Sequence, residues 1–202
     1  MIVRMDLFEQ PWPEGDFRFF QLGHVVDDII GAAAAWARAF GVGPFHVLPI
    51  ADQVADYGGE IRTVRIQVAV AQAGPVQIEL IQQHCRTPSI YSEWSHHGTS
   101  SFHQIATLTQ DYVAKTAHFA SLGYPIAAQS TGGGFRVAYI DTVADFGFYT
   151  EIVEAPPAFV DQVRSISETC AEWDGSDPVR IMTRDGYRVP EDSRGHPRTL
   201  KS

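Results

Sequence analysis

The chain has 202 residues, 45% of them hydrophobic, which is enough for one well-buried shared core. Its formal net charge of −9 argues against a nucleic-acid partner, because phosphate contacts need a basic surface. No stretch approaches the roughly 20 apolar residues of a membrane-spanning helix, and Met1–Phe20 has no apolar block like a secretory signal. Cys85 and Cys170 carry no metal spacing and make no disulfide framework, as expected of thiols in a reducing cytoplasm. These features point to a cytoplasmic protein with a small-molecule partner, no nucleic acid and no membrane.

Residues 1–17 read as an N-terminal arm. A strand is expected over Arg18–Val26, then an alanine-rich helix over Ile29–Phe40 opened by Asp27-Asp28. Gly41-Val42-Gly43-Pro44 cannot continue that helix. Three strands follow at Phe45–Ile50, Arg62–Gln72 and Val76–Gln82, punctuated by Gly58-Gly59 and Gly74-Pro75. Gln83–Ser100 is polar, carries Pro88 and reads as a connector. The order then repeats: a strand over Phe102–Thr109, a helix from Asp111 to Leu122, and strands at Ile126–Gln129, Phe135–Ile140 and Phe148–Val153.

The first unit spans 18–82, the connector 83–100 and the second unit 101–155; 156–202 holds a helix (Pro157–Trp173) and a polar tail outside the repeat. The tail is expected to be mobile or laid over a partner subunit. The fold class is α+β: two βαβββ units supply eight strands that curl around a shared cavity, with helices outside.

Strand alternation sorts the side chains. In Val76–Gln82, Val76, Ile78 and Leu80 should pack on a helix, leaving Gln77, Glu79 and Ile81 on the other face. Tyr149, Glu151 and Val153 form the matching set in the last strand, so Glu79 and Glu151 hold equivalent places and are expected to point into the cavity. A carboxylate among apolar neighbours is costly unless paired, protonated or ligating. In the first strand of each unit, Gln21 and Gln104 both stand seven positions before the helix-opening aspartate, Asp28 or Asp111. His24 and His103 stand four and eight before it. Equal spacing makes the glutamines the inward pair and leaves both histidines as packing residues toward the helix layer or a strand end.

Five segments in this order resemble the vicinal-oxygen-chelate superfamily, in its glyoxalase I and methylmalonyl-CoA epimerase branch. They are Gln21-Leu-Gly-His-Val-Val-Asp-Asp28, Gly41-Val-Gly-Pro-Phe45, Val76-Gln-Ile-Glu-Leu80, Phe102-His-Gln-Ile-Ala106 and Gly147-Phe-Tyr-Thr-Glu-Ile-Val-Glu154. The resemblance implies a homodimer and one divalent metal between the units, held by residues of each first and fourth strand. By position these are Gln21, Glu79, Gln104 and Glu151. The chain departs from the family pattern, because glutamine replaces the usual histidine ligands and His103 stands just before Gln104. An all-oxygen Gln₂Glu₂ set suits Mg²⁺, Mn²⁺ or Ca²⁺ better than the Ni²⁺, Co²⁺ or Zn²⁺ that imidazole favours. The site is equally open to holding no metal.

The resemblance implies an isomerase or lyase that moves a proton next to a carbonyl on a small hydrophobic or acyl-thioester substrate. Glu79 or Glu151 would be the general base, with His103, Gln21 and Gln104 as donors to the oxyanion. The aromatics Trp36, Phe45, Tyr91, Trp94 and Phe146 are candidates for substrate contact or plain core packing. The alternative is a metal-free protein that sequesters an apolar small molecule without catalysis. An extradiol dioxygenase needs two histidines and a carboxylate around iron, which this register does not supply; the His96-His97 pair reads as solvated loop.

Overall fold

The computed structural model describes residues 19–94 and 100–191. The N-terminal arm, His96-His97 and the chain beyond residue 191 lie outside the described residues.

The first unit contains β1 (Phe19–Val26), α1 (Ile29–Phe40), β2 (Phe45–Val47), β3 (Ala51–Tyr57), β4 (Glu60–Ala73) and β5 (Val76–Gln83). The second contains β6 (Ser100–Thr109), α3 (Tyr112–Ser121), β7 (Ile126–Gly132), β8 (Phe135–Ile140), the short α4 (Val143–Phe146) and β9 (Tyr149–Glu154). Between them lies α2 (Ile90–Trp94), and after them α5 (Pro157–Ala171), β10 (Val179–Thr183) and β11 (Gly186–Arg188). Asp28 and Asp111 start their helices in the same way: each carboxylate accepts from a backbone N–H three residues on, of Gly31 at 3.1 Å and of Ala114 at 2.9 Å.

The pairings reveal the repeat as a near two-fold arrangement. β1 runs parallel to β5, and β6 parallel to β9. β5 and β9 each pair antiparallel with the strand before them. The units join twice, through β1 against β6 and through a short β3–β7 contact at Ala55–Ser130 and Asp56–Gln129. The long β4 pairs with β3 through its first half and with β5 through its second, so eight strands form a closed ring. Closure leaves no open edge within the ring.

Outside the ring, α1 covers Phe45, Val47, Ala69, Ile78 and Leu80, and α3 covers Ala138, Ile140 and Ile152. The expected packing face of β5 is thus the observed one. Truncating Leu80 to Ala would cost about 2–5 kcal/mol, as for other fully buried leucines.

Three expectations are corrected. The strand expected over Phe45–Ile50 stops at Val47, and the ring strand is Ala51–Tyr57, for which no strand was expected; its exposed face carries Asp52 and Val54. The connector is not wholly polar: α2 buries Ile90 and Tyr91 inside one end of the ring. Part of the tail is ordered sheet, since β10 adds in parallel to β2 and buries Val179 against Phe45 and Val47.

Candidate active site

Four strands aim polar side chains at one place inside the ring. Gly23 lies between Glu79 and Gln104 in register, and Gln21 lies between Gln77 and Ala106. Glu151 faces Ala106 from the next strand. The ring encloses about 310 Å³, lined by Gln21, Gln77, Glu79, Tyr91, Tyr139 and Glu151 along with apolar residues of β4, β8, β9 and α5.

Gln104 occupies the centre of the cluster. Its amide nitrogen donates to Glu79 at 2.8 Å and lies 3.4 Å from an oxygen of Glu151. Its amide oxygen accepts from Nδ1 of His103. Gly23 makes room for this side chain, since a Cβ there would collide with the Gln104 amide.

The structure corrects the orientation of His103. Gly23 faces Gln104 but His24 faces Phe102, so His103 is the extra residue of a β-bulge. A bulge breaks the two-residue alternation and lets neighbouring side chains share a face. His103 is fully buried in the interior, with its ring 5.0–6.0 Å from those of Tyr91, Trp94, Tyr139 and Tyr149. Burial lowers its pKa to about 4, so the ring is neutral near pH 7. Its Nε2 has no hydrogen-bond partner among the described residues. His24 packs outside the ring, 5.4 Å from Trp36 of α1 and 5.5 Å from Phe102.

Burial, the negative charge of Glu151 and the Gln104 hydrogen bond act together on Glu79; the first two dominate and hold its pKa well above the usual carboxylate range. Glu151 is pushed up to about 7 by burial, against the hydrogen bonds of Tyr139 and Gln104, which favour its charged form. The Tyr91 hydroxyl donates to that of Tyr139 at 3.0 Å, so two phenols lead to Glu151. Near neutral pH the pair therefore holds at least one proton.

These residues do not fit the divalent metal that the resemblance implied. Gln104 turns an N–H, which has no lone pair for a cation, toward both carboxylates. The reverse orientation would set its oxygen against theirs. Gln21 donates to Gln77 at 3.3 Å.

Of the candidate aromatics, only Tyr91 reaches the cavity. Phe45 is core, Trp36 packs on His24, Trp94 packs on His103, and Phe146 is exposed. Sequence reasoning missed Tyr139, although Phe135, Val137 and Tyr139 alternate in one phase of β8. It also missed Phe159, Gln162, Val163 and Ile166 of α5, whose helical spacing marks one face.

Comparison with known proteins agrees with this architecture. The family model of the Glyoxalase/Bleomycin resistance protein/Dioxygenase superfamily matches residues 20–139. No curated protein matches the sequence. A methylmalonyl-CoA epimerase from Mycobacterium tuberculosis superposes with a TM-score of 0.53 at 16% identity, covering 77% of this chain and 99% of that one. A hypothetical protein from Bacillus halodurans gives 0.53 at 16%, covering 69% and 94%. A Streptomyces coelicolor methylmalonyl-CoA epimerase in complex with 2-nitronate-propionyl-CoA gives 0.50 at 17%, covering 71% and 97%. At these identities the likeness speaks for the fold. No helix among the described residues is long and apolar enough to cross a membrane. With a family match over more than half its length and two βαβββ units closed around one cavity, the chain belongs to the Glyoxalase/Bleomycin resistance protein/Dioxygenase (vicinal-oxygen-chelate) superfamily.

Proposed function

We propose that this protein is an isomerase that moves a proton next to a carbonyl, using its two glutamates without a metal. The observation that carries this reading is the placement of Glu79 and Glu151 in one cavity, both reached by the same Gln104 nitrogen. Two carboxyls so close titrate apart, one serving as acid and one as base.

Glu151, with a pKa near 7, is the base matched to neutral pH. Its carboxylate takes the proton from the carbon beside the carbonyl, and the C–H electron pair moves through the new C=C bond onto oxygen. Glu79, kept protonated, donates its O–H to that oxygen. Return of the proton from Glu151 to a conjugated carbon, with the O–H proton kept on Glu79, completes the isomerisation with no other reactant. Gln104 holds the two carboxyls in place, His103 holds Gln104, Tyr91 donates to Tyr139, and Tyr139 and Gln104 hold the Glu151 pKa down against burial. Every residue given a role here comes from one chain.

An acyl-thioester substrate, as in the epimerase complex, has less support, since no lysine or arginine among the described residues lines this cavity. The extradiol reading is not supported: His24 lies outside the ring and His103 is engaged with Gln104.

The test is solvent-deuterium exchange followed by NMR with a panel of ketones. Exchange at the carbon beside the carbonyl, lost in Glu151→Gln, is the expected result. Saturable binding with no exchange in any ketone would overturn catalysis and leave a protein that sequesters its ligand.

A further inference from the structure

The cavity also carries information about its ligand. Its apolar wall is made by Ile66 and Val68 of β4, Val137 of β8 and the α5 side chains Phe159, Val163 and Ile166. α5 lies across one mouth of the ring, where Val163 is buried with Phe20, Ala106 and Val153, and Phe159 packs on Phe20 and Phe135. The other end is plugged by α2. Among the described residues no Lys, Arg or His appears in the lining, and the arginines of the ring strands are engaged elsewhere: Arg62 with Glu60, Arg65 with Asp52 and Arg136 with Glu154.

From these observations we infer that the ligand is an uncharged, compact, largely apolar carbonyl compound, seated between the glutamate pair and α5. This rests on the proton-transfer reading for the carbonyl, while the charge and size follow from the cavity alone. A volume of about 310 Å³ takes on the order of ten to fifteen non-hydrogen atoms, at roughly 20–30 Å³ each. A coenzyme A moiety is several times that size. A carboxylate entering beside two glutamates would meet like charge with no cation to offset it, in surroundings that screen poorly.

The test uses the full chain and isothermal titration with three probes: 2-decalone, decahydronaphthalene-2-carboxylate and propionyl-CoA. At about pH 8 the ketone is expected to bind saturably, the matched carboxylate at least about tenfold more weakly, and the thioester not measurably. Carboxylate or thioester binding as tight as the ketone's, or no ketone binding, would overturn the inference. Gln162 lines the cavity from an exposed position of α5, so Gln162→Lys keeps the core intact. It should tighten carboxylate binding about fivefold and leave 2-decalone within about twofold; no gain would mean that the anion binds elsewhere, against the inference. Deuterium exchange into bound 2-decalone is scored separately: binding without exchange removes the proton-transfer reading and leaves the ligand's charge and size as inferred.

Discussion

The amide nitrogen of Gln104 stands 2.8 Å from a carboxyl oxygen of Glu79 and provides the only firm hydrogen bond that Glu79 accepts among the described residues. The same nitrogen lies within 3.4 Å of Glu151. The Gln104 amide and the Tyr139 hydroxyl together cannot offset two buried negative charges, so the pair is stable only with a proton on one member. The proton that a metal-free isomerase needs is thus retained by the same crowding that would otherwise destabilise the site.

Glu151→Gln should therefore stabilise the fold while abolishing exchange. Glu151 titrates near 4.5 when unfolded and near 7 when folded, so the folded state binds the extra proton between those values. A raised carboxyl costs nothing below its unfolded pKa and destabilises progressively as pH rises through the folded one. The substitution should be near neutral at about pH 4.5 and stabilise by on the order of 1–3 kcal/mol at about pH 8. Urea midpoints at the two pH values check this; equal shifts at both would show that Glu151 carries no raised pKa.

Gln104→His should create the imidazole that the cluster lacks. A histidine nitrogen facing Glu79 and Glu151 gives a third strong donor, and Ni²⁺, Co²⁺ and Zn²⁺ should bind at least about tenfold more tightly than to the unaltered protein. Calorimetric titration of both proteins gives the answer. Tight stoichiometric binding to the unaltered chain would mean that the Gln104 amide turns over to admit a cation.

The alternation of residues made much of this site legible. Equal spacing from Asp28 and Asp111 located Gln21 and Gln104 inside the ring, and equivalent places in the repeat brought Glu79 and Glu151 together. Alternation failed at His103 because a bulge adds one residue, and no local residue preference signals that insertion. It failed at Ala51–Tyr57 because that strand has an exposed face bearing Asp52 and Val54 and follows β2 with only a short break. The roof over the cavity was written in α5, where Phe159, Gln162, Val163 and Ile166 share a face, but helical spacing does not say what that face will cover.

His103 should oppose the two glutamates in the pH dependence of stability. Its pKa falls from 6.5 to about 4 on folding, so the unfolded chain binds the extra proton between those values. Its contribution is complete above about pH 6.5 and is lost as pH falls through 4, the opposite sign to the glutamates. His103→Gln should remove that rising contribution, so that stability falls more steeply with pH over the window, on top of a pH-independent cost of about 1–3 kcal/mol for truncating the buried ring. Chemical denaturation across the window measures the slope; an unchanged slope would place the acid sensitivity in another group.

Gly23→Ala tests whether the positions of Gln104 and the carboxyls depend on one missing methyl group. Gly23 has no positive-φ requirement among the described backbone, so the new methyl is opposed by space alone. The atoms it meets belong to the Gln104 amide, normally a side chain able to move. Here Glu79, Glu151 and His103 hold that amide on three sides. Displacing it removes the donor from both carboxyls and leaves the His103 ring without its partner. The expected outcome is a loss of about 1–3 kcal/mol in stability together with loss of deuterium exchange, while 2-decalone binding, which rests on the apolar wall, falls by less than about tenfold. Exchange preserved at the original rate would show that Gln104 does not position the glutamates for proton transfer.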